Sequence, residues 1–315
     1  MIPPQRPAPW YLSSAMAAFE TRDVSTWQVL SREAIGRETK YWLLQPGSEE
    51  RWLFKPTHVT KGGRLQGDDW AEKVASELAS LIGVPHARVE LAVRSGTTGC
   101  ISRDVAPRNW ELQSGAVVLG EVVDDFVIRS STRAGHNLEN IARVLSSRSC
   151  PADAMMPTRF TAYDLFAGYL VLDAWIANRD RHEENWAVLR PPPTSLDRDT
   201  LSPSFDHASS LGFQLDDAYR DKIMSRSGIG GWCEAGSATR FEVPDGAVSH
   251  LSLVDLAWRG LDLAQPGVRR YWLERLERVN LAYVADCLES APRMSDLARK
   301  FVYELLQVNQ GRLLA

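Results

Sequence analysis

The side chains best suited to chemistry lie in one polar loop and in a short segment that follows it. Residues 176–189 read IANRDRHEENWAVL, in which Asp180 and Asn185 are five positions apart, and Asp206 comes directly after an apolar residue further along the chain. Phosphoryl transfer needs a carboxylate that orients the attacking hydroxyl and takes its proton. It also needs oxygen ligands that hold Mg²⁺ against phosphates. The pattern therefore predicts Asp180 as a catalytic base and Asn185 and Asp206 as metal ligands.

Each of these residues also has a purely structural interpretation. Asp180 could cap the preceding helix, Asn185 could stabilise the turn before a strand, and Asp206 could form a turn after one. His182 could be a metal ligand or a hydrogen-bonded brace. The combination of all three polar residues favours catalysis and metal binding, and bracing is favoured for His182.

The resemblance to a known family is carried by several strings in the same order. The strings NRDRHEEN and WAVL, followed by SFDHASSLG, resemble HipA-like kinases, and D-R-H-x-x-N also resembles the catalytic loop of phosphoinositide-type kinases. LFKP (53–56) resembles the strand with the phosphate-binding lysine, and DWAEKVASELASLIGVP (69–85) resembles the helix with its glutamate partner. GRETKYWLL (36–44) resembles the phosphate-covering loop and its outgoing strand. The kinase order of base, asparagine and metal aspartate is also present.

This resemblance implies ATP and Mg²⁺ as cofactors and gives roles to further residues. Lys55 would contact the α- and β-phosphates and pair with a glutamate, for which the resemblance favours Glu72 and helical geometry favours Glu77; we take Glu72. The remaining cofactor-binding predictions cover the phosphate loop, the adenine hinge and the catalytic loop: Gly36, Arg37, Thr39, Ile101, Arg103 and His182.

Two departures from the family pattern limit what the resemblance implies. The metal aspartate is followed by His207-Ala208 rather than Phe-Gly, so rules about phenylalanine packing do not transfer. Few residues precede the first expected strand, so the extra N-terminal region of longer HipA toxins is not expected, and toxin-like regulation is placed in doubt.

The pattern of elements predicts an α+β, two-lobed protein-kinase-like fold. Residues 1–105 would form the N-lobe, a small antiparallel sheet with one helix. Its strands are expected at 25–30, 41–44, 51–55, 87–93 and 100–103. Its helix is expected to run to Ile82 with Asp69 as N-cap. Residues 1–19 are expected to form an arm or short helix.

Residues 106–315 would form a mostly helical C-lobe that carries the catalytic loop and the metal site. Helices are expected at 161–177, 268–289 and 295–314, with short strands at 186–189 and 204–206. The polar, glycine- and serine-rich residues 216–246 are expected to be a mobile surface segment.

Composition excludes several classes of function. The chain has 315 residues and a formal net charge of -4, without the basic excess of a nucleic-acid binder. Its four cysteines are far apart, which disfavours a zinc site or a disulfide framework and fits the cytoplasm. No apolar run approaches a membrane span.

The leading hypothesis is a serine/threonine kinase that acts on a protein substrate and also on itself, with an inhibitory or antitoxin-like partner. Three alternatives remain: a lipid or small-molecule kinase, a metal-dependent hydrolase that uses His182, and a catalytically silent kinase-like binding module.

Overall fold

A six-stranded sheet occupies the first part of the chain. The structure, a computed structural model, describes residues 18–33, 39–124, 126–151, 154–226 and 228–315. The strands of this sheet are β1 (Thr21–Asp23), β2 (Gln28–Glu33), β3 (Lys40–Leu44), β4 (Arg51–Pro56), β5 (Val89–Arg94) and β6 (Thr97–Arg103). Their spatial order is β1-β5-β6-β4-β3-β2. All neighbours are antiparallel except β1 and β5, which run parallel, so the sheet is mixed at this edge. Strand β1 was not predicted.

Helix α1 (Asp68–Ile82) covers this sheet and ends at Gly83, whose positive φ of 72° suits glycine. The prediction of Asp69 as N-cap is wrong, because Gly67 holds that position without a side-chain cap. The Asp69 carboxylate is buried and pairs with Arg293, so a tertiary ion pair takes the place of the local cap. The apolar stripe of α1 packs into the core of the helical part of the chain.

The second part of the chain is mostly helical, as predicted, and also contains a small sheet. The sheet consists of β7 (Glu111–Ser114), β8 (Ala187–Arg190) and β9 (Thr200–Leu201). The helices are α2 (Gly115–Gly120), α3 (Leu138–Leu145), α4 (Ala162–Trp175), α5 (Asp217–Arg226), α6 (Gly228–Glu234), α7 (Leu253–Asp262), α8 (Val268–Glu277), α9 (Leu281–Glu289) and α10 (Asp296–Leu314).

Helix α4 is the centre of this part, and every one of its residues is buried. Its start is fixed by a capping box, in which the Thr161 hydroxyl accepts from the Asp164 amide and the Asp164 carboxylate accepts from the Thr161 amide. The predicted central helix is therefore confirmed, with Thr161 as its N-cap.

Three predicted elements are wrong in this part. Residues 216–246 hold helices α5 and α6 rather than only a surface segment, because a polar helix can be anchored by a few inward residues such as Ile223. The helix expected at 268–289 is two helices, since Asn280 caps a new one at Leu281. No strand forms at 204–206 in this described stretch; Ser204 makes one isolated bridge to His86.

The two parts are tied by backbone hydrogen bonds on both sides of the space between them. The Ala87 amide donates to the Ser204 carbonyl and the Ser204 amide to the Pro85 carbonyl, each at 2.8 Å. The Gly67 amide donates to the Phe213 carbonyl at 3.1 Å. These bonds fix the segment that carries Asp206 against the first part. The structure tests no boundary at residue 105, so the proposed limits 1–105 and 106–315 stay predictions.

None of the helices in the described ranges has the length and apolar character needed to cross a bilayer. All four cysteines are free thiols.

Candidate active site

A cavity of about 450 Å³ between the six-stranded sheet and the helical part gathers most of the predicted site residues. Its polar walls come from strand β4, from the loop after α4 and from the segment after Pro203. The lining includes Lys55, Asp180, His182, Asn185, Asp206, Arg103 and Arg129. Residues far apart in sequence are thus brought to one space.

Lys55 is the cation at the centre of this cavity. It lies near the end of β4, and its Nζ is 2.7 Å from Asp206 Oδ1 and 3.8 Å from Glu72 Oε2. Burial alone would lower the pKa of Lys55, but Asp206 and Glu72 outweigh burial and hold that pKa above its usual range. Lys55 is therefore a fixed positive charge.

Glu72, rather than Glu77, faces Lys55. Glu72 is fully buried on α1, whereas Glu77 pairs with Lys73 at 2.7 Å on the same helix. Burial raises the pKa of the Glu72 carboxyl, and the attraction of Lys55 offsets this only in part. The preference for Glu72 thus agrees with the geometry, although the apolar stripe had pointed to Glu77.

Asp206 lies in a segment with a strained backbone. Its φ is 60°, in the left-handed region that aspartate tolerates better than most residues. Burial would raise its pKa, but Lys55 and Lys40 hold the pKa of this carboxyl well below its usual value. The carboxylate is ionised over the whole physiological range and lies at the cavity wall.

The loop between Asp180 and Asn185 is held by hydrogen bonds within itself. The side-chain Nδ2 of Asn185 donates to the backbone carbonyl of Asp180 at 2.8 Å, which leaves the side-chain Oδ1 of Asn185 as the atom available to a ligand. The His182 Nδ1 atom accepts from the Glu184 amide at 3.1 Å. This contact supports the bracing interpretation of His182.

A buried ionic network supports this loop from below. Arg181 pairs with Asp173 at 2.7 Å and donates to the Asn185 carbonyl at 2.6 Å. Arg181 also donates to the Ser204 hydroxyl at 3.0 Å, and that hydroxyl is 2.7 Å from His207 Nε2. One guanidinium therefore positions the catalytic loop and the segment that leads to Asp206.

The role of Asp173 and Arg181 was not predicted, although the sequence contains a signal for it. Asp173 interrupts the most apolar helix, and a buried carboxylate requires a cationic or hydrogen-bonding partner nearby.

Burial and Arg181 together lower the pKa of His207 well below its usual value, so His207 is neutral.

Two arginines from distant parts of the chain also reach this site, and neither was predicted. Arg129 pairs with Glu184 through its Nε atom at 2.5 Å. Arg240 pairs with Asp180 through its Nε atom at 2.7 Å. No local pattern announces either contact, because Arg240 is 60 residues from its partner.

Of the residues predicted to contact the nucleotide in the phosphate loop and the adenine hinge, only some lie at the cavity in the part of the chain that the structure describes. Arg103 lines the cavity, whereas the side chain of Ile101 is buried in a small apolar cluster with Trp52. Thr39 is exposed just before β3, and Gly36 and Arg37 lie outside the described residues, as do residues 1–17 of the predicted arm.

The donor set fits a magnesium ion with bound phosphates. Asp206 offers an ionised carboxylate and Asn185 an amide oxygen, and Mg²⁺ typically takes one or two carboxylates with phosphate oxygens and water. In the described parts of the chain, no three His, Cys, Asp or Glu side chains form a metal-binding group of their own.

Comparison with solved structures shows which known fold this arrangement matches. The structure of the Helicobacter pylori proinflammatory kinase CtkA aligns with a TM-score of 0.69 at 16% identity, covering 94% of this chain and 96% of that one. Shewanella oneidensis HipA, solved with HipB and operator DNA, aligns with a TM-score of 0.53 at 12% identity, covering 92% of this chain and 66% of that one. The chain has a two-lobed, HipA-like kinase fold.

No protein-family model matches the chain, and no curated protein matches it by sequence. The predicted fold class and the resemblance to HipA-like kinases are therefore confirmed by structure alone. In this fold the six-stranded sheet and α1 form the small lobe.

Proposed function

We propose that this protein is an ATP- and Mg²⁺-dependent kinase that transfers the γ-phosphate to a serine or threonine hydroxyl of a protein, including its own. The observation that carries the proposal is the convergence on one cavity of Lys55 paired with Asp206 and the Asp180–Asn185 loop. A kinase-like fold alone would not establish activity.

Each residue has a distinct part in the proposed reaction. Asp180 orients the acceptor hydroxyl and takes its proton. Lys55, held by Glu72, binds phosphate oxygens of the nucleotide. Asp206 and Asn185 would hold Mg²⁺, which neutralises the charge of the phosphates when bound. The buried Arg181 keeps the loop and the metal-binding segment in fixed relation.

A protein substrate is favoured over the alternatives. A lipid or small-molecule kinase would use the same residues, but nothing in the sequence provides a basic membrane-facing helix. A metal-dependent hydrolase would need a histidine-containing metal site, whereas within the described residues no three His, Cys, Asp or Glu side chains form a group that could hold a metal ion. A silent binding module does not need a full set of Lys55, Asp180, Asn185 and Asp206.

We also propose a cellular compartment and a protein partner for this kinase. Four free thiols suit a reducing cytoplasm, which is where we place the activity. The HipA structure contains HipB, so an antitoxin-like protein partner is a reasonable candidate regulator for this chain as well. The net charge of -4 favours protein over nucleic acid as the direct substrate.

The test is incubation of the purified protein with γ-labelled ATP and Mg²⁺, with and without a mixed protein acceptor. Asp180→Asn and Asp206→Asn should both abolish label transfer, and the exposed Asp262→Asn serves as a matched control that should retain it. Label that survives in both site variants would contradict the proposal. Intact nucleotide binding without any transfer to protein would favour a lipid or small-molecule acceptor.

A further inference from the structure

Arg240 contacts the proposed catalytic base without lining the nucleotide cavity. Its Nε atom is 2.7 Å from Asp180 Oδ1, and its side chain is 38% exposed. Within the described ranges, the terminal nitrogens of Arg240 have no hydrogen-bond partner. Arg240 is not among the residues that line the cavity, whereas Asp180 is. The guanidinium therefore contacts the base from outside the lining of the nucleotide cavity.

The backbone of Arg240 is held by the buried His136. The His136 Nδ1 atom donates to the Arg240 carbonyl at 2.7 Å, and His136 Nε2 accepts from the Trp186 indole at 3.1 Å. His136 also stacks on Phe241, with ring centroids 4.6 Å apart. Since Trp186 directly follows Asn185, the contacts of His136 link the backbone of Arg240 to the catalytic loop.

The next residue in this segment adds further bonds. The Glu242 amide donates to the His136 carbonyl at 2.9 Å, and the Glu242 carboxylate accepts from the Gly135 amide and from the Asn137 side chain. Asn137 is the N-cap of α3. The position of Arg240 is thus set by a helix start and a buried histidine rather than by a loose surface loop.

We propose that Arg240 is a positioning residue that fixes the carboxylate of Asp180 for its role as base. This inference rests on the proposed kinase function. By occupying Oδ1, Arg240 leaves Oδ2 as the atom that receives the acceptor proton. Within the described residues Oδ2 has only a long contact of 3.4 Å from the Ser209 hydroxyl, which an acceptor hydroxyl can replace.

The opposite interpretation is that Arg240 inhibits the enzyme by blocking its base. An inhibitory contact must break for activity, and the bonds to the Arg240 carbonyl and to Glu242 keep the backbone of Arg240 beside Asp180. Within the described residues Arg240 hydrogen-bonds only one oxygen of the carboxylate, so the other stays accessible to an acceptor hydroxyl. The geometry therefore favours positioning.

The experiment compares Arg240→Ala, Arg240→Gln and Arg240→Lys with the wild-type protein in steady-state transfer of phosphate to a protein acceptor. We expect Arg240→Ala to reduce kcat between about 10-fold and 100-fold, the loss typical of a displaced catalytic group, without change in the KM for ATP. Arg240→Gln should behave like alanine, and Arg240→Lys should recover part of the rate because it keeps the charge. Thermal stabilisation by ATP and Mg²⁺ should be equal in all four proteins.

One further variant separates this inference from a general effect of losing an arginine. Arg259→Ala removes an arginine of similar exposure that pairs with Glu139, and should leave kcat unchanged.

Each outcome bears on one proposal or on both. A rate in Arg240→Ala equal to or above the wild-type rate would overturn the positioning role while the kinase function stands. A raised KM for ATP with unchanged kcat would also overturn it, because Arg240 would then act on nucleotide binding. Absence of any Asp180-dependent transfer in the wild-type protein would overturn both proposals.

Discussion

At the scale of single residues, the main feature is a cation between two carboxylates in a mostly buried space. Lys55 contacts Asp206 and Glu72, and Glu72 is completely buried. Removal of one partner of a buried pair leaves an uncompensated charge, which destabilises a protein more than the pair stabilises it. The triad therefore couples the proposed nucleotide site to the stability of the whole fold.

We expect Lys55→Met to lower the free energy of unfolding by about 3 kcal/mol, because Glu72 and Asp206 lose their cation. The pKa of Glu72 is already raised by burial, so the native state of the variant takes up a proton as pH falls. The loss should therefore be larger at pH 8 than at pH 5. Urea unfolding at both values measures it.

The control for this prediction uses a second change and a second lysine. Glu72→Gln added to Lys55→Met should restore most of the stability, since the buried charge is removed. Lys300→Met affects an exposed pair with Glu304 and should change the free energy of unfolding by only about 0.5 kcal/mol. Equal losses in the single and double variants would contradict the account.

His136 provides a prediction of pH dependence. Burial lowers its pKa from 6.5 to about 4, so the unfolded chain binds a proton in this range that the native state does not bind. Stability should therefore decrease as pH falls from 6.5 towards 4, by roughly 3 kcal/mol at most from this group. Denaturant unfolding between pH 7 and 5 measures how the free energy of unfolding changes with pH, and this change should be smaller for His136→Asn than for the wild type. An identical pH dependence in the two proteins would exclude a buried neutral His136.

The residues of the site differ in how far their sequence predicts their place. The positions of Asp180 and Asn185 were predictable because they stand five residues apart in one short string, and that of Asp206 because its own string follows in the expected order. Arg240 was not, since its contact depends on the folding of helix α3 and of the segment after α6. Asp173 was an intermediate case: its position inside an apolar helix demanded a partner but did not say which.

At the scale of elements, helix α4 depends on close packing against α8. A Cβ atom at Gly168 would lie 2.3 Å from the ring of Trp272, and that ring is fixed by a hydrogen bond of 2.9 Å from its Nε1 to the Asp164 carbonyl. Glycine is the residue that permits this approach, even though it is a weak helix former. The two helices therefore cannot move apart without loss of the buried core.

We expect Gly168→Ala to destabilise the protein by about 3 kcal/mol through this overpacking. Gly311→Ala is the matched control, since Gly311 is also helical and has open space around it. It should stabilise by about 0.5 to 1 kcal/mol, because alanine is the better helix former. Thermal unfolding of both variants measures the contrast, and stabilisation by both would refute the packing argument.

Helices α1 and α10 were predicted well because each has a periodic apolar stripe, and Gly83 marks the end of α1, although its N-cap was wrongly assigned to Asp69. The boundary at Asn280 was missed because the apolar stripe continues across two consecutive helices. Helix α5 was missed because its sequence is mostly polar, and α6 because three of its seven residues are glycine, which is a weak helix former. In each case tertiary packing decided between alternatives that local preference left open.

At the scale of the whole molecule, the two lobes share a core. Apolar residues of α1, including Val74 and Leu78, belong to the same buried cluster as α4 and the C-terminal helices. A separate, smaller cluster lies in the six-stranded sheet around Trp52 and Phe54. The helix that carries Glu72 is thus packed with the lobe that carries Asp180, so the small lobe has little core of its own.

This arrangement predicts that the protein unfolds in a single cooperative step rather than lobe by lobe. Calorimetry should give one transition whose calorimetric and van't Hoff enthalpies agree. A saturating nucleotide with Mg²⁺ should raise the temperature of that entire transition. At a nucleotide concentration of a hundred times the dissociation constant, the free energy of unfolding should increase by roughly 2.7 kcal/mol. Two separate transitions, with only one sensitive to nucleotide, would mean that the sheet forms an independent folding unit. The shared core around α1 would then not couple the lobes, and Glu72 could leave Lys55 without unfolding the rest of the protein.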